Sequence, residues 1–207
     1  MRPVFLLPAR ALMILTIGMC AGISNAQAPT SGATDARLLS LTQTVSRFED
    51  NMMTLAQAMP ADKFNFAPTK DIFAPGSPAE FATVRTFAQQ LAHVCGEPYR
   101  LFAPFGVKSD TDVDVRSLDS LQTKDDIIKA LKDSFAYQDK VIANITPENA
   151  FVPAGPRNMT RVSALIAILG DDGDHYGQMV EYLRMNGIVP PATTNQMRRT
   201  SQSSPPK

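Results

Sequence analysis

Four long segments of this chain carry apolar side chains at alternating steps of three and four, a periodicity that restricts the fold to packed amphipathic helices. The first runs from about Asp35 to Met59, with Leu38, Leu41, Val45, Phe48, Met52, Leu55 and Met59 on one face and Pro60 ending it. The second runs from about Phe81 to Phe102, with Val84, Phe87, Leu91, Val94 or Cys95, and Phe102 on one side; Pro98 is expected to kink or end it. The third runs from about Thr123 to Ile145. It opens on Thr123 and Asp126, which resemble a capping box, and buries Ile127, Leu131, Phe135, Val141 and Ile145. The fourth runs from about Thr160 to Asn186, with Gly187 as its C-terminal stop. Nothing reads as a strand. The connection over 60–80 holds Pro60, Pro68, Pro75 and Pro78, which suits an ordered crossing loop. The expected architecture is an all-α four-helix bundle in a single domain.

The ends of the chain read differently. Arg2 followed by the apolar run Ala11 to Ala21, too short for a membrane span, and by the small residues Ser24-Asn25-Ala26 or Ala26-Gln27-Ala28, reads as a signal peptide over residues 1–28. The competing reading is a retained N-terminal anchor; a lipoprotein would acylate Cys20, where Met19 is bulkier than such a site wants. The bundle is expected over 29–191 and a flexible Pro/Ser-rich tail over 192–207, and the mature chain in a periplasmic or secreted setting with no stable membrane span. Without Arg2 and Arg10 the remaining 18 basic and 20 acidic residues leave a net charge near −2. No Lys/Arg stripe tracks phosphates, so a nucleic-acid partner is not expected. Once Cys20 has left with the signal, Cys95 stands alone, forms no intrachain disulfide and reads as a small buried apolar side chain.

The fourth segment is the most informative. Val162, Leu165, Leu169, Tyr176, Val180 and Leu183 form one stripe, and Ala164, Ile168, Asp171, His175, Met179 and Tyr182 an adjacent one. Asp171 and His175 thus interrupt apolar surface, one turn apart, where a carboxylate and an imidazole can share a divalent ion. Periodicity alone also accommodates a simple hydrogen-bonded Asp–His pair. The chain's only other histidine, His93, falls with Gln89, Gln90 and Glu97 opposite the apolar stripe of its helix, and its periodicity reads as solvent-exposed.

The run Asp174-His175-Tyr176-Gly177-Gln178-Met179-Val180-Glu181-Tyr182-Leu183-Arg184-Met185-Asn186-Gly187-Ile188-Val189-Pro190-Pro191 resembles the closing helix of DinB-like proteins. Leu91-Ala92-His93-Val94 resembles their second-helix segment, and Met59-Pro60-Ala61-Asp62-Lys63-Phe64-Asn65-Phe66-Ala67-Pro68-Thr69 the loop after their first helix. The likeness covers most of 35–191. It implies a four-helix bundle with a divalent-metal site in which His93 is the first ligand and His175 the last. The middle ligand, usually a histidine, falls on Asp171. Two histidines and one carboxylate suit ferrous iron and zinc, with nickel and manganese also in range; the opposite reading is a degenerate site. Glu97 and Asp172 are spare carboxylates, Gln178 a hydrogen-bond partner behind the ligands, and Tyr182 a pocket-lining residue; Gly177 reads as a point of close helix packing.

The resemblance implies a metal-dependent enzyme, a transferase or hydrolase acting on a small molecule; the alternative is a non-catalytic, stress-related bundle that holds a metal or small apolar ligand. A closed coordination sphere, with Glu97 as the fourth ligand, would mark the second. Pairing of the long helices into a homodimer is a further expectation.

Overall fold

The computed structural model describes residues 36–78 and 83–203, with side chains from residue 39 to residue 199 within those bounds. The signal-peptide reading therefore lies outside the described residues. Within them the chain forms helices α1 (Ala36–Ala58), α2 (Phe87–Phe102), the single turn α3 (Val115–Leu118), α4 (Lys124–Ala143), α5 (Arg161–Met185) and α6 (Pro191–Ser203), and no strand. None of these helices is long and apolar enough to cross a membrane.

The long helices form the bundle. α2 packs on α4 and α5, and α1 packs on the same two, so α1 and α2 lie diagonally across the core. That geometry explains the long proline-bearing connection between them. A short link would hold α1 and α2 side by side, whereas the described residues 59–78 and 83–86 lead across the end of the bundle. Phe64 and Phe87 meet edge-to-face there, 5.2 Å between centroids, and the backbone amides of Phe87 and Ala88 donate to the carbonyls of Phe66 and Phe64. Lys124 reaches back from the start of α4 to donate to the carbonyls of Gln57 and Met59, both 2.7 Å, placing a cation on the negative end of α1. Leu55, Leu91, Leu131 and Leu165, one from each long helix, are essentially inaccessible to solvent, and burial of this kind is worth about 1.5–3 kcal/mol per side chain.

Helix boundaries follow local chemistry. Thr86 caps α2 by accepting from the Gln89 amide while the Gln89 side chain accepts from the Thr86 amide, so α2 starts six residues later than the apolar pattern predicts. Pro98 lies inside α2 without ending it. Tyr99 and Phe102 beyond it are buried in the core, and that packing offsets the lost backbone bond. Thr123 caps α4 through the Asp126 amide, but the shorter Asp126 side chain accepts from the Thr123 hydroxyl and not from the backbone. α5 ends in a Schellman motif: Ile188 N–H donates to Leu183 O, Gly187 N–H to Arg184 O, and Gly187 takes φ +73°.

Two elements depart from the sequence pattern. Phe48 is 36% exposed, and its place on the inner face of α1 is taken by Glu49, which accepts from Gln138 Nε2 at 2.9 Å; Leu38 has no described side chain. The proline- and serine-rich C-terminal stretch, expected to be loose, carries α6, which packs on α1. Pro191 sits at its first position, where a missing N–H costs nothing.

Candidate metal centre

The candidate centre lies where α2 faces α5. On α2, Gln90, His93 and Glu97 follow steps of three and four; on α5, Asp171, His175 and Gln178 follow steps of four and three. Two polar lines of helical period therefore face each other across an otherwise apolar seam. His93, read from periodicity as solvent-exposed, is only 25% exposed in its side chain, and Gln90, placed with it on the outer face, is buried. The reason is that α2 contacts both α4 and α5, so the face opposite its main apolar stripe is covered as well.

Asp171 Oδ2 stands between the two imidazoles, 3.1 Å from His175 Nε2 and 3.3 Å from His93 Nε2. One ligand atom from each of the three residues lies within 4.8 Å of the others. The ring centroids are 4.9 Å apart, at 62°. Asp171 Oδ2 is buried and makes no well-directed hydrogen bond, although His175 and Glu97 both lie within its electrostatic reach. Glu97 adds a fourth potential donor, Oε1 being 3.6 Å from His93 Nε2 while Oε2 is also buried and unpartnered.

The electrostatics agree with a site built for a cation. Burial holds the pKa of His175 below its ordinary value against the opposing pull of Asp171. Burial also lowers His93, with the Arg85 charge adding to it. Both rings are thus neutral near pH 7, the form that donates a lone pair to a metal. Burial and the Asp171 charge raise the Glu97 carboxyl to about 7. Asp172, which is buried, is raised to about 8 by burial, then by Glu97, Asp171 and Glu49. Crowded acids with unpartnered oxygens are unfavourable until a positive charge lies among them.

The other singled-out residues take distinct places. Asp172 does not belong to the compact His–Asp–His group. Gln178 reaches His175 through a second carboxamide: its Oε1 accepts from Gln90 Nε2 at 2.6 Å, and Gln90 Oε1 is hydrogen-bonded to His175 Nδ1. Tyr182 donates to the Arg85 carbonyl at 3.1 Å and stacks edge-on against Phe66, a packing role beside the site. A Cβ at Gly177 would meet open space, so close helix packing does not account for that glycine. Cys95 is buried, its thiol pushed up to about 12 by burial, as expected of an inert core side chain. A cleft of about 280 Å³ lies elsewhere, between Tyr99, Leu118 and Lys129, and contains none of the three candidate ligands. Converging ligand atoms, and not concavity, single out the His–Asp–His group.

The residue missed in the sequence is Gln90. Its signal is present there: it shares a face with His93 and Glu97, so that a polar line runs along one helix that is otherwise buried nearly all round.

No family model matches the sequence, nor does any curated protein. The crystal structure of a DinB-like protein from Bacillus cereus ATCC 10987 is similar in fold, with a TM-score of 0.58 at 14% sequence identity, covering 74% of this chain and 95% of that one. The all-helical bundle described above is thus a DinB-like fold.

Proposed function

We propose that this bundle binds one divalent metal ion through His93 Nε2, Asp171 Oδ2 and His175 Nε2, and that the ion serves metal-dependent transfer or hydrolysis on a small molecule. The observation that carries the reading is the unpartnered, buried Asp171 Oδ2 facing two neutral imidazoles. With each Nε2 unprotonated, three lone-pair donors converge on one point, a set that a cation satisfies. Asp171 in the middle position is compatible with this. A carboxylate contributes a harder donor than the imidazole of the family pattern, and the set of two histidines and one carboxylate suits zinc, ferrous iron, manganese or nickel. Bound there, the ion would supply Lewis acidity that lowers the pKa of a coordinated water or thiol. The chain's own residues do the rest. Asp171, with its side chain 39% exposed, marks the side from which substrate approaches, and the core beneath it excludes water. The expectation of export favours water over a low-molecular-weight thiol, which is mainly a cytoplasmic resource.

A second reading rests on Glu97. With Oε1 near His93 and Oε2 unpartnered, it is placed to close the coordination sphere, which would make the protein a non-catalytic metal-binding bundle. Cobalt(II) substitution separates the two. The catalytic reading expects visible absorption bands that shift when azide or a small thiol is added, because an open position accepts the added ligand. Bands indifferent to added ligand in the parent, but responsive in Glu97→Gln, would establish the closed site. Failure to take up cobalt at all would remove both readings.

A further inference from the structure

We infer that Asp174, at the protein surface, sets which nitrogen of buried His175 carries the proton, through a relay of the two carboxamides Gln178 and Gln90. The inference concerns the site proposed above and rests on that reading for its consequence, though not for its principal readout.

The relay has a direction, and its direction follows from the donor and acceptor inventory of each member. The Asp174 carboxylate only accepts, so the group it meets at 2.6 Å is the Gln178 amide nitrogen. That orientation turns Gln178 Oε1 toward Gln90, and the atom meeting it at 2.6 Å is the Gln90 amide nitrogen. Gln90 Oε1 is then the atom left for His175 Nδ1, with which it is hydrogen-bonded. A carbonyl oxygen accepts, so Nδ1 carries the proton and Nε2 presents its lone pair. Nε2 is the nitrogen that faces Asp171 Oδ2 at 3.1 Å. Four side chains thus lie in one series whose polarity is fixed at its far end by a single negative charge.

Two features fit this relay to orienting a ligand. Gln90 is 2% exposed, so no water replaces its bond to the ring. The relay also crosses from α5 to α2 and back, so that it ties the facing helices at the level of the ligands. A carboxamide behind a metal-binding imidazole fixes ring orientation and tautomer, and such partners are worth about 10–100-fold in metal affinity. Gln90 and Gln178 are therefore positioning residues, and Asp174 is the residue that orients them.

The polarity can be inverted by design. Lysine only donates, so Asp174→Lys would turn each carboxamide over and leave Nδ1 as an acceptor, with the proton moved to Nε2. Because the chain has only two histidines, the rings of ¹⁵N-histidine-labelled, chelator-treated protein can be assigned with a His93→Ala control. Above the ordinary histidine range, at about pH 8, the parent should show a protonated, pyrrole-type Nδ1 and a pyridine-type Nε2 on His175. Asp174→Lys should exchange the two types, and Gln90→Leu should give an averaged pattern, with helix content by circular dichroism unchanged. Gln178→Leu, which cuts the relay without altering charge, should lower zinc affinity by about 10–100-fold. A His175 spectrum identical in the parent, Asp174→Lys and Gln90→Leu would overturn the inference. A parent that shows the expected tautomer yet takes up no zinc would sink the proposed function and leave the relay standing.

Discussion

Asp171→Asn is expected to move two measurements in opposite directions: metal affinity falls by more than about 100-fold, beyond the loss typical of a partner behind the ligands, while the metal-free protein melts at a higher temperature. The first effect follows from position, since Asp171 Oδ2 lies between both histidines and the substitution leaves an amide where an anion stood. The second follows from electrostatics. The Asp171 charge is one cause of the raised Glu97 and Asp172 carboxyls, and its buried oxygen has no hydrogen-bond partner. Removing the charge at constant volume relieves that repulsion. The gain is read as an upward shift in Tm, where each kcal/mol corresponds to about 2–4 °C in a protein of this size. A residue that sacrifices stability for function behaves this way. Chelator competition and thermal melts at about pH 8 give both numbers. A lower melting temperature in the metal-free variant would mean that Asp171 is structural and that its oxygen is satisfied in solution.

The metal-free protein is also expected to lose stability as pH rises from about 6.5 to about 8, against the usual trend of a broad optimum across that range. Asp172 is raised to about 8, and Glu49 and Glu97 to about 7, in each case with burial as the largest cause. In the unfolded chain these groups titrate near their ordinary values of about 4. Between the two limits the folded state binds more protons than the unfolded one, so stability is present at low pH and is lost as pH rises through the folded values. His93 and His175 work the other way, since their lowered values make the folded state release protons first. That opposition ends once unfolded histidine is neutral, above about 6.5. The decline beyond it is therefore unopposed. Its size is of order 1–3 kcal/mol by pH 8, set mainly by the well-buried Asp172, because solvent screening weakens the contribution of the less buried Glu97. Denaturant unfolding in the presence of a chelator measures it. Added zinc should flatten or reverse the slope, because a bound cation favours the ionised carboxylates. Constant stability across the interval would show that the buried carboxyls are solvated.

Much of the fold is legible in the sequence because the helices announce themselves locally. The caps Thr123 and Thr160 and the stop at Gly187 are chemistry of single residues, and the structure places α4 and α5 within a residue or two of the pattern. What cannot be read is which second face a helix buries. Phe48 belongs to the apolar stripe of α1, yet Glu49 points inward to meet Gln138, a pairing that exists only once α1 lies against α4. Gln90 and His93 look like surface residues until α5 covers them. The start of α2 is obscured because Val84 continues the apolar period while Thr86 already captures the first free amides. At the site, the spacing of Asp171 and His175 is visible, and the likeness to DinB-like proteins supplies His93. The sequence offers Gln178 as a partner behind the ligands but not the connected relay from Asp174 to His175, because two of its three bonds join residues more than 80 positions apart in the chain.

The most direct test of the metal reading is elemental mass spectrometry on the untagged protein purified from the cells that produce it naturally, beside a His175→Ala control. Close to one equivalent of zinc, iron, manganese or nickel is expected in the parent, and none above background in the control. Background metal in both, with thermal stability indifferent to added ions, would contradict it and leave a DinB-like bundle in which Asp171 marks a site that no longer binds.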